Sequence, residues 1–88
     1  MKLCKVVGSV VSTIKDERLK GYKLLIVQGY SVLTKETTGS PFVALDTAGA
    51  GEGDLVIIVS GTPAQYLVGD GKIPIDSAII GIIDSFSI

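Results

Sequence analysis

Histidine and tryptophan are absent from this 88-residue chain, and cysteine occurs once, at Cys4. A single cysteine excludes an internal disulfide framework, and with no histidine there is no Cys/His set at metal-ligand spacing. Aromatic residues are few, and Tyr22, Tyr30, Phe42, Tyr66 and Phe86 are too scattered to form a stacking platform for single strands. The formal net charge is −1, which argues against a general affinity for nucleic acid. Long hydrophobic runs are missing too. The longest apolar stretches, Leu55–Val59 and Ala78–Ile83, fall well short of the ~18 residues that span a bilayer. At the N-terminus Lys5 interrupts what would be a secretory apolar core and no small-residue cleavage site follows, which predicts a cytosolic protein with no membrane association.

What the chain does have is apolar surface. Hydrophobic residues make up 47% of it, and the mean hydropathy is +0.53. A chain of this size forms one domain, residues 1–88, and as a monomer buries only about 60–65% of its unfolded surface. The excess points to a partner. Charge is unevenly placed: residues 1–35 hold seven basic and two acidic side chains, residues 36–88 one basic and seven acidic. Either the two segments interleave on one surface, or they meet across a head-to-tail interface.

Period-two patterning over Leu3–Ile14 predicts a strand with Cys4, Val6, Gly8 and Val10 on one small apolar face, Gly8 marking a bend or bulge. The polar segment 15–21 reads as a loop. Tyr22–Gln28 is a second strand, apolar on both faces through Leu24–Val27. Thr34–Ser40 is polar enough for a loop tip, after which Pro41 admits a short third strand, Phe42–Leu45. Leu55–Val59 and Ala78–Asp84 are the fourth and fifth strands. Between them, Thr62 as N-cap, Pro63 at the first helical position, Gln65 closing a capping box and Gly69 as the left-handed stop predict a helix of about two turns. The sum is a mainly β fold, a small five-stranded OB-like barrel with one short α-helix.

The segment from Ala44 to Ala64 organises the rest: a strand end, a loop with Gly49, Gly51 and Gly53 in alternation, an apolar strand and a helix start. The loop invites a phosphate reading, yet it lacks Gly-x-Gly-x-x-Gly spacing, has no following Lys-Ser/Thr, and leads into a strand. Asp46 and Asp54 flank it. With no histidine and no activated nucleophile beside them, they are expected to accept backbone N–H bonds and fix the loop rather than act as an acid/base pair. Cys4 is expected to be packed rather than reactive. Lys23, inside an apolar strand, can run along the surface to water or reach a neighbouring carboxylate. No catalytic, cofactor-binding or metal-ligating residue is assigned.

These residues carry a family resemblance. Met1-x-Leu3-Cys4-x-Val6-x-Gly8-x-Val10-Val11-Ser12-Thr13-x-Lys15 and Leu19-x-Gly21-x-Lys23-Leu24-Leu25-x-Val27-Gln28 resemble the opening of the EutN/CcmL family of bacterial microcompartment vertex proteins. Ala44-x-Asp46-x-x-Gly49-Ala50-Gly51-x-Gly53-Asp54-x-Val56 with Gly61-Thr62-x-Ala64 is similar to the family's central motif, and Pro74–Asp84 to its last strand. The chain departs from the pattern in having Gln65-Tyr66 after Ala64, where many members have a basic residue. The resemblance implies a structural protein: a cyclic homo-pentamer of small barrels at the five-fold vertices of a polyhedral shell, beside hexameric shell proteins. Gly49, Ala50, Gly51 and Gly53 are then expected near the ring axis or an intersubunit contact. The alternative, resting on fold alone, is an OB-type module binding an oligonucleotide or small ligand.

Overall fold

The structure is a computed structural model and describes residues 1–12, 17–61 and 75–87. Five strands, β1 (Lys2–Val10), β2 (Lys23–Ser31), β3 (Glu36–Asp46), β4 (Leu55–Ser60) and β5 (Ser77–Ile83), close into a barrel in the order β1-β2-β3-β5-β4. Neighbours are antiparallel except β3 and β5, which run parallel and pair only at Leu45↔Ala78 and Asp46↔Ile79. Closure leaves no free sheet edge along the paired lengths. The helical element among the described residues is a 3-10 turn, Glu17–Leu19, within the segment expected to be a loop. The helix expected over residues 62–69 lies outside the described residues.

Alternation places Cys4, Val6, Leu25, Val27, Ala44, Val56, Ile58 and Ile79 inside the barrel, each 3% exposed or less, with Phe42 packed against them. Full burial of an aliphatic side chain contributes roughly 1.5–3 kcal/mol, so this interior holds most of the favourable free energy. The first strand departs from a continuous apolar face. Its register with β2 shifts between Val6 and Gly8, so Val7 is the extra residue of a bulge. After it Gly8 pairs with Ile26 and Val10 with Leu24, both on the outer face. The expected face of Cys4, Val6, Gly8 and Val10 is therefore cut to its first two members by the bulge that Gly8 adjoins.

The third strand is longer than expected. It begins at Glu36, and the turn is Val32–Lys35, closed by a hydrogen bond from Lys35 N to Ser31 O of 2.8 Å, with Lys35 at φ 58°. Pro41 lies inside this strand. It is accommodated because the register with β2 breaks there: Val27 pairs with Phe42 and Gly29 with Thr38, so Gly39, Ser40 and Pro41 stand opposite Gln28 alone. Gln28 Nε2 donates to Gly39 O at 2.6 Å across the irregularity. No ladder bond is asked of the proline nitrogen.

A second apolar cluster sits outside the barrel. Leu45 and Ala78, fully buried, face outward beneath Leu19 of the 3-10 turn, with Tyr22, Leu24, Val59 and Ile75 around them. The 3-10 turn is thus a cover for the parallel seam, which explains why Leu19 is buried in an otherwise polar segment.

Candidate functional site

The loop between β3 and β4, residues 47–54, is held at every step. At its entry Asp46, 5% exposed, accepts the N–H groups of Ala48 (3.0 Å) and Gly49 (3.1 Å) on Oδ1, forming an Asx-type turn. The other carboxylate oxygen lies 3.5 Å from Lys23 Nζ, which also donates to the carbonyl of Ala50 at 2.7 Å. Thr47 Oγ1 donates to Ile79 O at 2.7 Å, tying the loop to β5.

At its exit Asp54 Oδ2 accepts Gly51 N at 2.8 Å while Asp54 N donates to Gly51 O at 3.0 Å. Gly53 N donates to Val6 O (2.8 Å) and Val6 N to Asp54 O (2.9 Å), so the loop end continues the ladder to β1. Between the two clamps Ala50 inserts into the barrel core, fully buried. Gly49 and Gly53 have φ of 80° and 93°, a region that a side chain disfavours by roughly 1–2 kcal/mol. Gly51 differs. Its backbone is not left-handed, and a Cβ there would meet nothing closer than Asp54 Oδ2 at 3.9 Å.

The arrangement decides what the loop can do chemically. Each of the three glycine N–H groups is committed inside the chain, two to carboxylates and one to Val6 O, so the glycine amides do not point out together to cradle a phosphate, and two carboxylates line the site. Among the described residues no cluster of three or more His, Cys, Asp or Glu could hold a metal ion. Cys4 lies inside the barrel, where burial pushes its thiol up and nearby Lys2 pulls it partly back. A protonated, enclosed thiol is a packing group rather than a nucleophile. An open groove of about 350 Å³ lies between the end of β1 and the start of β2, lined half by the aliphatic Val10, Val11, Leu24 and Leu25 and half by Ser9, Ser12, Tyr22 and Lys23. It is at the small end for ligand pockets, which run from ~300 Å³ upward.

All six residues singled out in this stretch, Asp46, Gly49, Ala50, Gly51, Gly53 and Asp54, fall in or beside the loop. Ala50 is turned into its own barrel, while Gly49 and Gly53 stand exposed. Of the two outcomes open to Lys23 in the sequence, water or a neighbouring carboxylate, the structure shows the second, with Asp46 as the carboxylate; the bond to the Ala50 carbonyl is what sequence reasoning did not name. Lys23, from the basic half of the chain, meets Asp46 of the acidic half within one protomer. The signal was a lysine interrupting an apolar strand. A second ion pair among the described residues, Lys20–Glu17 at 3.7 Å, is exposed on both sides and adds little.

Comparison with known proteins places this geometry. The family model for ethanolamine utilisation protein EutN/carboxysome matches residues 1–84. The bacterial microcompartment shell vertex protein GrpN of Rhodospirillum rubrum is 45% identical over 87 residues, covering 97% of this chain and 94% of the relative. The carboxysome shell vertex protein CcmL of a Synechocystis species is 40% identical over 92 residues, covering 100% and 87%. Among solved structures, the GrpN pentameric microcompartment shell protein from Rhodospirillum rubrum superposes with a TM-score of 0.85 at 41% identity, covering 100% of this chain and 98% of that one.

Proposed function

This chain belongs to the EutN/CcmL family, and from that premise we infer that it is a structural shell protein, not an enzyme, whose single barrel forms a cyclic homo-pentamer at the vertices of a bacterial microcompartment. The observation that carries the reading is the end-to-end match, in sequence and in backbone, to vertex proteins of about the same length. The closed barrel and the internally satisfied loop agree with a structural role. Six-sided shell tiles extend flat or roll into a tube, and closing such a sheet on all sides takes five-sided units. The partners at the rim of the ring are therefore hexameric shell proteins.

Native mass spectrometry of the purified protein should give a dominant pentamer at micromolar concentration. A dominant monomer would revive the ligand-binding module. In the host, deletion should leave the enclosed enzymes active while shells become elongated, open or leaky by electron microscopy. Closed shells accompanied by a missing chemical step would speak for an enzyme or ligand-binding role, with any second vertex protein also deleted.

The loop Gly49–Gly53 is placed, as part of the same reading, at the ring axis or a contact between subunits. Gly51 supports this, because nothing in its own protomer requires a glycine there. Gly51→Ala should leave the unfolding midpoint within about 2 °C of wild type yet weaken pentamer formation, whereas Gly53→Ala should cost ~1–2 kcal/mol of stability through its positive φ. Normal assembly by Gly51→Ala would make the loop an intrachain turn only.

A further inference from the structure

The ladders that close the barrel are unequal. β2 pairs with β3 from Lys23↔Asp46 to Ser31↔Glu36, and β1 with β2 from Cys4↔Gly29 to Val10↔Leu24. β4 pairs with β5 from Leu55↔Ile83 to Ser60↔Ser77, and β1 with β4 from Lys2↔Ile58 to Lys5↔Leu55, a ladder that the bonds between Val6 and the loop end extend. The seam between β3 and β5 stops after Leu45↔Ala78 and Asp46↔Ile79, and it is parallel, the slightly weaker pairing per residue. Among the described residues Thr47 adds the next link, giving Ile79 O both its N–H (3.4 Å) and its hydroxyl (2.7 Å). The lysine clamp adds nothing across the seam, since Lys23 and Asp46 sit on β2 and β3, the same side of it. The rest of the hold is apolar and lies outside the barrel. Tyr22, Leu24 and Leu45 come from the β2 and β3 side, Val59, Ile75 and Ala78 from the β4 and β5 side. Leu19 packs over both, 7% exposed, on a turn tied to the start of β2 by Tyr22 N bonding to Leu19 O at 3.1 Å.

We propose that the native barrel opens at this seam, with the 3-10 turn as the strap that keeps it shut. Parting β3 from β5 breaks no other ladder. It leaves one sheet in the order β3-β2-β1-β4-β5, which can close again without refolding, while residues 47–54 tether β3 to β4 and limit the gap. Sub-global openings take the least-bonded line through a fold, and this is that line. The inference concerns the protomer and does not rest on the pentameric reading. The chain also carries a probe for the motion. In the circle of strands β1 stands opposite the β3–β5 seam, and its Cys4 points inward, 0% exposed, in one cluster with Ala44 and Ile79. A parted seam therefore bares the single thiol of the protein.

The test is labelling of Cys4 by a thiol reagent in the intact protein, at reagent concentrations to which the rate is proportional, so that the rate reads the population of the open form. Native mass spectrometry checks that the proteins compared share one oligomeric state. Labelling of the wild type should depend on urea much less steeply than global unfolding does, because a parted seam exposes less surface. Leu19→Ala should speed labelling without urea roughly 30-fold or more, and Leu19→Val, used if the alanine variant does not fold, roughly three-fold. Gly39→Ala strains β3 at a φ of 75°, where it faces β2 in a ladder that stays paired in the opened sheet. It should lower the urea midpoint yet leave labelling without urea within about two-fold of wild type. Labelling that tracks global unfolding in urea, that the Leu19 variant leaves unchanged, or that Gly39→Ala speeds in proportion to its loss of stability overturns the proposal.

Discussion

Asp46→Ala lowers the thermal unfolding midpoint by about 10–20 °C. The substitution leaves the N–H groups of Ala48 and Gly49 without their acceptor and removes the carboxylate beside Lys23 Nζ. Losing the partner of buried or half-buried polar groups costs ~2–3 kcal/mol, and each kcal/mol moves the midpoint of a domain this size by roughly 4–8 °C. Asp46→Asn keeps an acceptor in the Oδ1 position and loses the charge facing Lys23, so its midpoint should fall by less than half as much. Thermal melts of both variants at one protein concentration make the measurement, since assembly shifts apparent stability. Equal midpoints for the alanine and asparagine variants would show that the turn does not depend on this carboxylate.

Leu45→Ala should be as damaging as a substitution in the barrel interior, although Leu45 points outward. It is fully buried under Leu19 and beside Ala78, so truncation opens a cavity and costs ~2–5 kcal/mol. Val43, two residues earlier on the same side of the same strand, is 41% exposed, and Val43→Ala should change the stability of the isolated protomer by less than ~0.5 kcal/mol. Urea unfolding of the two variants compares them directly. Similar costs would mean that the 3-10 turn does not cover the parallel seam.

The contrast between these two residues also shows where the sequence was readable. Strands at 55–60 and 77–83 are short apolar runs bounded by glycine, serine or aspartate, and both were legible to within a residue or two. The front half of β3 was not, because Glu36–Ser40 is polar and exposed throughout, so its alternation carries no apolar signal. The turn that precedes it has Lys35 rather than glycine in the left-handed position, which hides it from residue-type rules. The outer cluster was unreadable for another reason: nothing local to Leu45 distinguishes it from Val43, and only the return of Leu19 over the seam does. Within the loop, the residue types of Asp46 and Asp54 and the glycine spacing were on view, but Ala50 entering the core and Lys23 clamping its carbonyl are products of the tertiary fold.

The position of β5 has a consequence for the protein while it is being made. This strand lies between β3 and β4, both of which precede it in the chain. A nascent or prematurely terminated chain that reaches Gly61 can pair only β3, β2, β1 and β4, an open four-stranded sheet with β4 on one edge. That edge reads Leu-Val-Ile-Ile-Val-Ser, six residues with no charge and no proline, the composition that recruits identical strands from other molecules. Fragments ending between β4 and β5 should therefore precipitate rather than stay dispersed, and in the complete chain arrival of Ser77–Ile83 is the step that removes the hazard.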